Sequence, residues 1–336
     1  MTSTTQTMSP QIDLKRAFMR YVGVVPLLIV LCFIIMAFVE PRFFSRINLL
    51  NTLRNASFLS MIALGQTLVM LVGGFDLSIG AVVALSSITV AMSMAMYAGI
   101  FADSVWLVAA LGVSTALLAG TLVGLINGVI VSRLKLVPFM VTLAMASVVL
   151  GTTFFISKGV PIYGMPREFV NNVGRADFLG LSYPIWTALL TIIVLGFVLE
   201  RTAFGRHIYA VGGNAKAARA SGLKIEPVLL FAYGAAGFIG AMVGILLTAR
   251  IGSGQSTLDG TLAIESIAAA IVGGVSLKGG IGRVHRVVYA AIFLSVLSNM
   301  LNLARVDSKF QTMALGIAVL VAALAELRLA RRENDE

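Results

Sequence analysis

Cysteine is nearly absent from this 336-residue chain. Cys32 stands alone, which excludes a disulfide framework and a multi-thiolate metal site. Histidine occurs twice, at His207 and His285, too far apart in sequence for metal-ligand spacing. Charged residues supply only 12% of the composition against 58% hydrophobic, and the mean hydropathy is +0.96; that balance excludes a soluble domain of this size. Nucleotide and hydrolase signatures are missing as well. No G-x-x-x-x-G-K-[ST] loop occurs, so nothing here is built to cradle a phosphate chain. No H-E-x-x-H, no G-x-S-x-G and no paired carboxylates point to hydrolysis inside a membrane. The net charge of +10 is scattered between apolar blocks, as orientation determinants are, and is no nucleic-acid signal.

What the chain does have is apolar blocks, at 21–39, 57–72, 79–98, 105–131, 137–156, 184–199, 227–249, 261–275, 287–303 and 310–327. Each approaches the ~20 residues that cross a bilayer. The pattern predicts an all-α, polytopic inner-membrane protein with about ten transmembrane helices, some short or glycine-broken. An even count puts both termini in the cytoplasm. Most Lys and Arg then fall on inner segments, as the positive-inside rule requires, although Arg42, Arg46 and Arg54 run against it. The organisation that follows is a cytoplasmic tail at 1–20, one transmembrane domain at 21–327 and a cytoplasmic tail at 328–336. The first apolar run is long and closes on no small-residue cleavage site, so it reads as an uncleaved helix. Glu40-Pro-Arg-Phe-Phe44 breaks it, and a short interfacial helix is expected over Ile47 to Asn55. The loop at about 157–183 reads as a packed lid.

The longest polar interruption runs from Glu200 to Glu226. Inside it lies a miniature helix with both ends marked. Asn214 can cap the first free amides, Ala215 to Ala220 are strong helix formers, and Gly222 can take the left-handed position after the last turn. Two turns are marginal alone in water, so the segment needs something to hold it. Lys216 and Arg219 share a face, and the alanines leave little bulk. Such a helix suits a groove on another protein; an ordinary basic loop held inside by the charge rule explains the same residues.

Gly73-Gly-Phe-Asp-Leu-Ser-Ile-Gly80 joins two apolar blocks with almost no polar loop, yet carries Asp76. A charge at membrane depth costs about 2.5–3.5 kcal/mol, so it faces a cavity or a partner. Two readings stand together: a broken-helix turn lining a route through the membrane, or a tight turn in which Asp76 caps the next helix through Ser78 or Ile79. Gly273-Gly-Val-Ser-Leu repeats the pattern with Ser276 in the place of Asp76, which suggests an internal repeat. Gln66, Asn127, Thr142, Asn299 and Asn302 also sit in apolar blocks, either as hydrogen-bonding glue between helices or as pathway lining.

Taken in order, these stretches resemble the permease subunits of bacterial ATP-binding-cassette sugar importers of the ribose/xylose/galactose type. The resemblance runs over nearly the whole chain. It is carried by Gly65-Gln-Thr, Gly73–Gly80, Gly124-Leu-Ile-Asn-Gly128 and Pro138-Phe-Met-Val-Thr-Leu143. It continues in Thr202–Arg206, Ala210-Val-Gly-Gly-Asn214, Ser221-Gly-Leu223, Gly273–Leu277, Gly279–Gly282 and Ser298–Leu303. It implies a transport subunit that is not itself an enzyme and binds no cofactor, with ATP and Mg on a cytoplasmic ATPase of two nucleotide-binding halves. It further implies a second permease copy, in a homodimer or heterodimer, a periplasmic sugar-binding protein, surrounding membrane lipid and no nucleic acid. The ATPase-coupling residues would be Gly212, Gly213, Asn214, Ala217, Ala218, Arg219, Ser221 and Gly222 within the loop 201–226. The translocation pathway would draw on Gln66, Gly73, Gly74, Phe75, Asp76, Ser78, Gly80, Asn127, Phe139, Thr142, Gly273, Gly274, Ser276, Asn299 and Asn302. Arg283-Val-His-Arg286 departs from the small residues that usually follow the glycine turn in such proteins. The sugar itself, whether pentose, hexose, polyol or furanosyl signal molecule, is not legible. The rival reading is an ion-coupled secondary transporter of a small polar solute, with Asp76 or Glu265 as its coupling group.

Overall fold

The structure, a computed structural model, describes residues 23–324 apart from 259, 308, 312, 315, 318, 319, 322 and 323. Among these the chain is almost entirely helical: α1 Val25–Val39, α2 Arg46–Leu71, α3 Ile79–Ala98, α4 Val105–Arg133, α5 Pro138–Ser157, α6 Tyr183–Arg201, α7 Ala203–Gly213, α8 Ala215–Ala220, α9 Ile225–Ile251, α10 Leu262–Val272 and α11 Val284–Leu303. Six of them, α3, α4, α5, α6, α9 and α11, are long and apolar enough to cross a membrane. The apolar helices α1 and α10 are shorter, at 15 and 11 residues. The long α2 carries Arg46, Asn48, Asn51, Arg54 and Asn55 in its first part. The tails at 1–20 and 328–336 lie outside the described residues, as does part of the span expected at 310–327.

One expectation changes. Residues Ile47 to Asn55 form no separate interfacial helix; they are the beginning of α2, which is capped by Ser45 and runs from Arg46 to Leu71. The reason is that its polar side chains find partners. Arg54 Nε donates to Ser182 Oγ at 3.0 Å and its Nη1 to Asn51 Oδ1 at 3.2 Å, while Nη2 lies 3.7 Å from Asp177. With those groups satisfied, no break in the helix is needed.

From Ala56 onward α2 is buried on every side, packed among α6, α9, α10 and α11. Beside it α4 and α9 approach until their backbones touch. A Cβ on Gly124 would stand 2.2 Å from the Tyr233 carbonyl oxygen, and one on Gly237 would stand 2.3 Å from that of Gly120. Only residues without side chains allow this seam, and helix pairs in lipid gain their attraction from such contact.

The loop after α5 is packed, as expected. Met165, Phe169 and Val170 bury against Val90, Met94 and Ala249. Ile162 and Gly254 exchange backbone hydrogen bonds of 2.9 and 2.8 Å. The loop ends in a hairpin of two-residue strands, β1 Asp177–Phe178 and β2 Leu181–Ser182, which pair antiparallel. Leu179 and Gly180 between them both take positive φ, as a two-residue hairpin loop requires.

Candidate functional site

The turn between α2 and α3 is a polar place buried in the bundle. α2 closes with Gly73 N on Met70 O and Gly74 N on Val69 O, both at 2.9 Å, and Gly73 takes φ +83°, which only glycine adopts at little cost. Asp76 follows, 1% exposed. Its Oδ1 accepts from Ser78 N at 2.8 Å and Ser78 Oγ at 2.6 Å, so it caps the start of α3. Asn127 of α4 donates to the same Ser78 hydroxyl at 2.8 Å, and Thr142 of α5 donates to the Phe75 carbonyl at 3.1 Å. With its amide in the orientation its neighbours require, Gln66 donates to Asp76 O at 2.9 Å and accepts from Asp76 N at 3.2 Å. Gly74 leaves room for Tyr233 of α9, whose hydroxyl would stand 2.4 Å from a Cβ there. Among the described residues, Tyr233 Oη and Asn127 Oδ1 are buried without a hydrogen-bond partner.

The structure thus gathers Gln66, Gly73, Gly74, Phe75, Asp76, Ser78, Asn127 and Thr142 into one network, with Gly80 buried one turn further on. Others lie elsewhere. Phe139 is 50% exposed on α5. Asn299 forms a double amide pair with Asn48 at the far end of α2, at 3.0 and 2.9 Å. Asn302 accepts from Gln311 at 3.2 Å. Glu265 sits in the first turn of α10 and accepts from Thr261. Tyr233 and Asn48 escaped the sequence reading. Each is a single polar side chain amid apolar or surface-like residues.

The second glycine turn, between α10 and α11, resembles the first with a shift. Ser276 Oγ accepts from Lys278 N at 3.2 Å, as Asp76 does from Ser78. Yet the left-handed residue is Gly274, the second of its pair, whereas Gly73 is the first of its own. Gly274 N bonds Ile271 O and Val275 N bonds Ala270 O, both at 2.9 Å, so α10 closes one residue later in the alignment than α2.

The basic loop folds as two helices in tandem. Thr202 Oγ1 accepts from Gly205 N at 3.1 Å to start α7. Asn214 N ends α7 on Ala210 O at 3.1 Å, and Asn214 Oδ1 starts α8 by accepting from Ala217 N at 3.0 Å. Gly222, at φ +84°, closes α8, with Leu223 N on Ala218 O at 3.0 Å. Ala218 turns inward, 6% exposed, into the core that holds Leu71 and Val211. Lys216, Ala217, Arg219, Ala220 and Ser221 face outward.

These three segments meet. A Cβ on Gly212 would stand 1.7 Å from the Leu71 carbonyl oxygen and 2.6 Å from Gly280 N. One on Gly279 would stand 2.8 Å from Gly73 N, and one on Gly280 would stand 2.6 Å from Gly213 Cα. Gly280 N donates to Leu71 O at 2.9 Å, and Tyr209 Oη donates to Gly282 O at 2.9 Å. Burial first, and Glu200 second, push the Tyr209 phenol above its ordinary pKa, so it keeps its proton. Arg283, His285 and Arg286, the departure noted in the sequence, line a cleft of about 590 Å³ beside this junction with Glu200 and Tyr209. His285 Nδ1 lies 4.0 Å from Glu200 there.

A bundle with six helices long and apolar enough to cross a membrane, among the described residues, and with the end of α7 seated on two glycine turns, has the architecture of a multi-pass membrane protein. The chain matches, over residues 48–324, the family described as branched-chain amino acid transport system / permease component, and it belongs to that family. It is 36% identical over 295 residues to the ribose import permease of Haemophilus influenzae, covering 87% of this chain and 88% of that one. It is 37% identical over 294 residues to the ribose import permease of Bacillus subtilis, with the same coverage. The fructose import permease of Rhizobium meliloti is 34% identical over 307 residues, covering 88% of this chain and 82% of that one. No solved structure matches it. It is a multi-pass permease of the inner membrane.

Proposed function

We propose that this chain forms the translocation pathway of an ATP-driven importer for a monosaccharide or a related small polyol. The observation that carries the proposal is identity of about one third, along nearly the whole length, to permeases whose names specify ribose and fructose. The broader family description names branched-chain amino acids, and the near-full-length relatives outweigh it on substrate class. In this reading both termini and α8 lie in the cytoplasm, and the chain crosses the membrane about ten times. A cytoplasmic ATPase with two nucleotide-binding halves holds the ATP and Mg, and docks on the outward face of α8 within the loop 201–226. A second permease copy completes the pathway, and a periplasmic binding protein delivers the sugar. The Asp76 network stands beside the route, where a turn held by four neighbouring segments can be shifted as a unit. The test is reconstitution in proteoliposomes with a candidate two-domain cytoplasmic ATPase and a periplasmic sugar-binding protein from the same organism. ATP-dependent uptake of labelled ribose or another monosaccharide, competed by neither leucine nor valine, is expected. Uptake that follows an ion gradient at constant ATP would overturn the reading in favour of a secondary transporter.

A further inference from the structure

We propose that Tyr209 and Gly212 of α7 are the positioning residues through which α8 moves both glycine turns at once. The inference rests on the reading of α8 as the ATPase-facing element. Three features of the geometry support it. First, α7 and α8 share Asn214 as the end of one helix and the cap of the next, so no slack linker separates them. Ala218 anchors α8 from below. Second, the contact at Gly212 is backbone on backbone. Side chains can absorb a push by changing rotamer, but a helix end resting directly on the Leu71 carbonyl has nothing to yield. Third, Gly212 and Tyr209 are three residues apart and therefore share a face of α7. Through that face α7 meets the end of α2 at Leu71, and the α10–α11 turn at Gly280 and Gly282.

The bond from Gly280 N to Leu71 O ties the two turns to each other. Displacing α7 therefore carries the pair together, and Leu71 is only two residues from Gly73, where the Asp76 turn begins. The competing route runs from α8 through Leu223 directly into α9. It would leave Gly212 and Tyr209 as packing alone.

Two ratios measured on the reconstituted complex decide between the routes: sugar imported per ATP hydrolysed, and stimulation of the ATPase by sugar-loaded binding protein. Gly212→Ala should lower sugar per ATP by about tenfold, inside the range of known coupling between sites. Tyr209→Phe adds no bulk and removes only the bond to Gly282, so it folds where the first variant fails; its expected loss is about threefold. Gly196→Ala on α6, where a Cβ would meet nothing within 4 Å, should keep the wild-type ratio. Wild-type sugar per ATP in both Gly212→Ala and Tyr209→Phe would overturn the inference. So would a loss of hydrolysis and import in equal proportion, the mark of a structural role. A wild-type complex that imports no sugar would overturn the transport reading beneath it, and this inference with it.

Discussion

Asp76→Ala removes the acceptor of two donors that water cannot reach. Asp76 is 1% exposed and Ser78 fully buried, and Oδ1 takes both the amide and the hydroxyl of Ser78, at 2.8 and 2.6 Å. A buried donor stripped of its acceptor costs about 1–3 kcal/mol. The hydroxyl can rotate toward another acceptor; the amide cannot. The expected loss is therefore about 1–3 kcal/mol, at or above the ~1 kcal/mol of an exposed helix cap. Asp76→Asn keeps an oxygen for the amide and should lose about 1 kcal/mol. Cys32 makes the assay simple, because it is the chain's only cysteine and lies buried on α1. A thiol-reactive dye followed through a thermal ramp in detergent reports the melting of the bundle. The expected order is wild type, Asp76→Asn, then Asp76→Ala. Asn127→Ala acts in the same network through the Ser78 hydroxyl, so its cost and that of Asp76→Ala should fail to add by about 0.5 kcal/mol or more. At equal membrane abundance, Asp76→Ala should also reduce uptake further than it reduces insertion. An Asp76→Ala protein that melts with the wild type, or costs that simply add, would refute the argument.

Ala218→Trp should lower the melting temperature of the permease itself, because Ala218 is buried in its own core, whereas Ala217→Trp should leave the melt unchanged and weaken ATPase co-purification. Asn299→Ala leaves Asn48 without its reciprocal amide and should cost about 1–2 kcal/mol, with the Asn48→Ala/Asn299→Ala double variant costing less than the sum in the same melts. The Arg42 side chain and amide hold the Glu40 carboxyl below its ordinary pKa. That contribution is complete above the ordinary carboxylate value and is lost as pH falls through the lowered one, so Glu40→Gln should flatten the acid limb of melting temperature against pH.

Much of this architecture was legible in the chain, for reasons that differ by element. Asn214 and Gly222 gave α8 away because caps are written locally: one side chain reaches amides three residues on, and one left-handed position needs a glycine. The direction in which α8 faces was not legible. Lys216 and Arg219 mark one face of α8, but Ala217 and Ala218 stand equally far from it, so nothing marked Ala218 rather than Ala217 as the inward one. The glycines of the two turns were visible as breaks, and Asp76 as the cap of α3. Their junction was not, since the reason for Gly212 is the carbonyl of Leu71, about 140 residues earlier. The interfacial helix failed because Asn51 and Arg54 read as surface residues. Asn51 accepts from Arg54, whose other partners, Ser182 and Asp177, lie in a loop far along the chain.

The seam between α4 and α9 also sets a timetable for synthesis. About 90 residues separate Arg133 from Ile225. At ribosomal speeds of roughly 5–20 residues per second, α4 waits on the order of 5–20 seconds in the bilayer before its partner emerges. Throughout that interval its bare stripe at Gly120, Gly124 and Gly128 is open to any newly inserted helix. α5 and α6 arrive first, and in the finished protein the apolar windows of both stay mostly uncovered, at 22% and 28% buried. The outward face of α6 is bulky, at Ile193 and Phe197, whereas α5 turns the small residues Ala144, Ser147 and Gly151 outward beside Phe155. Forming the seam thus requires that α5, which carries small residues of its own, leave the stripe open for a later helix. A small-residue substitution on α5 or α6 could leave every native contact intact and still trap the chain as it is made.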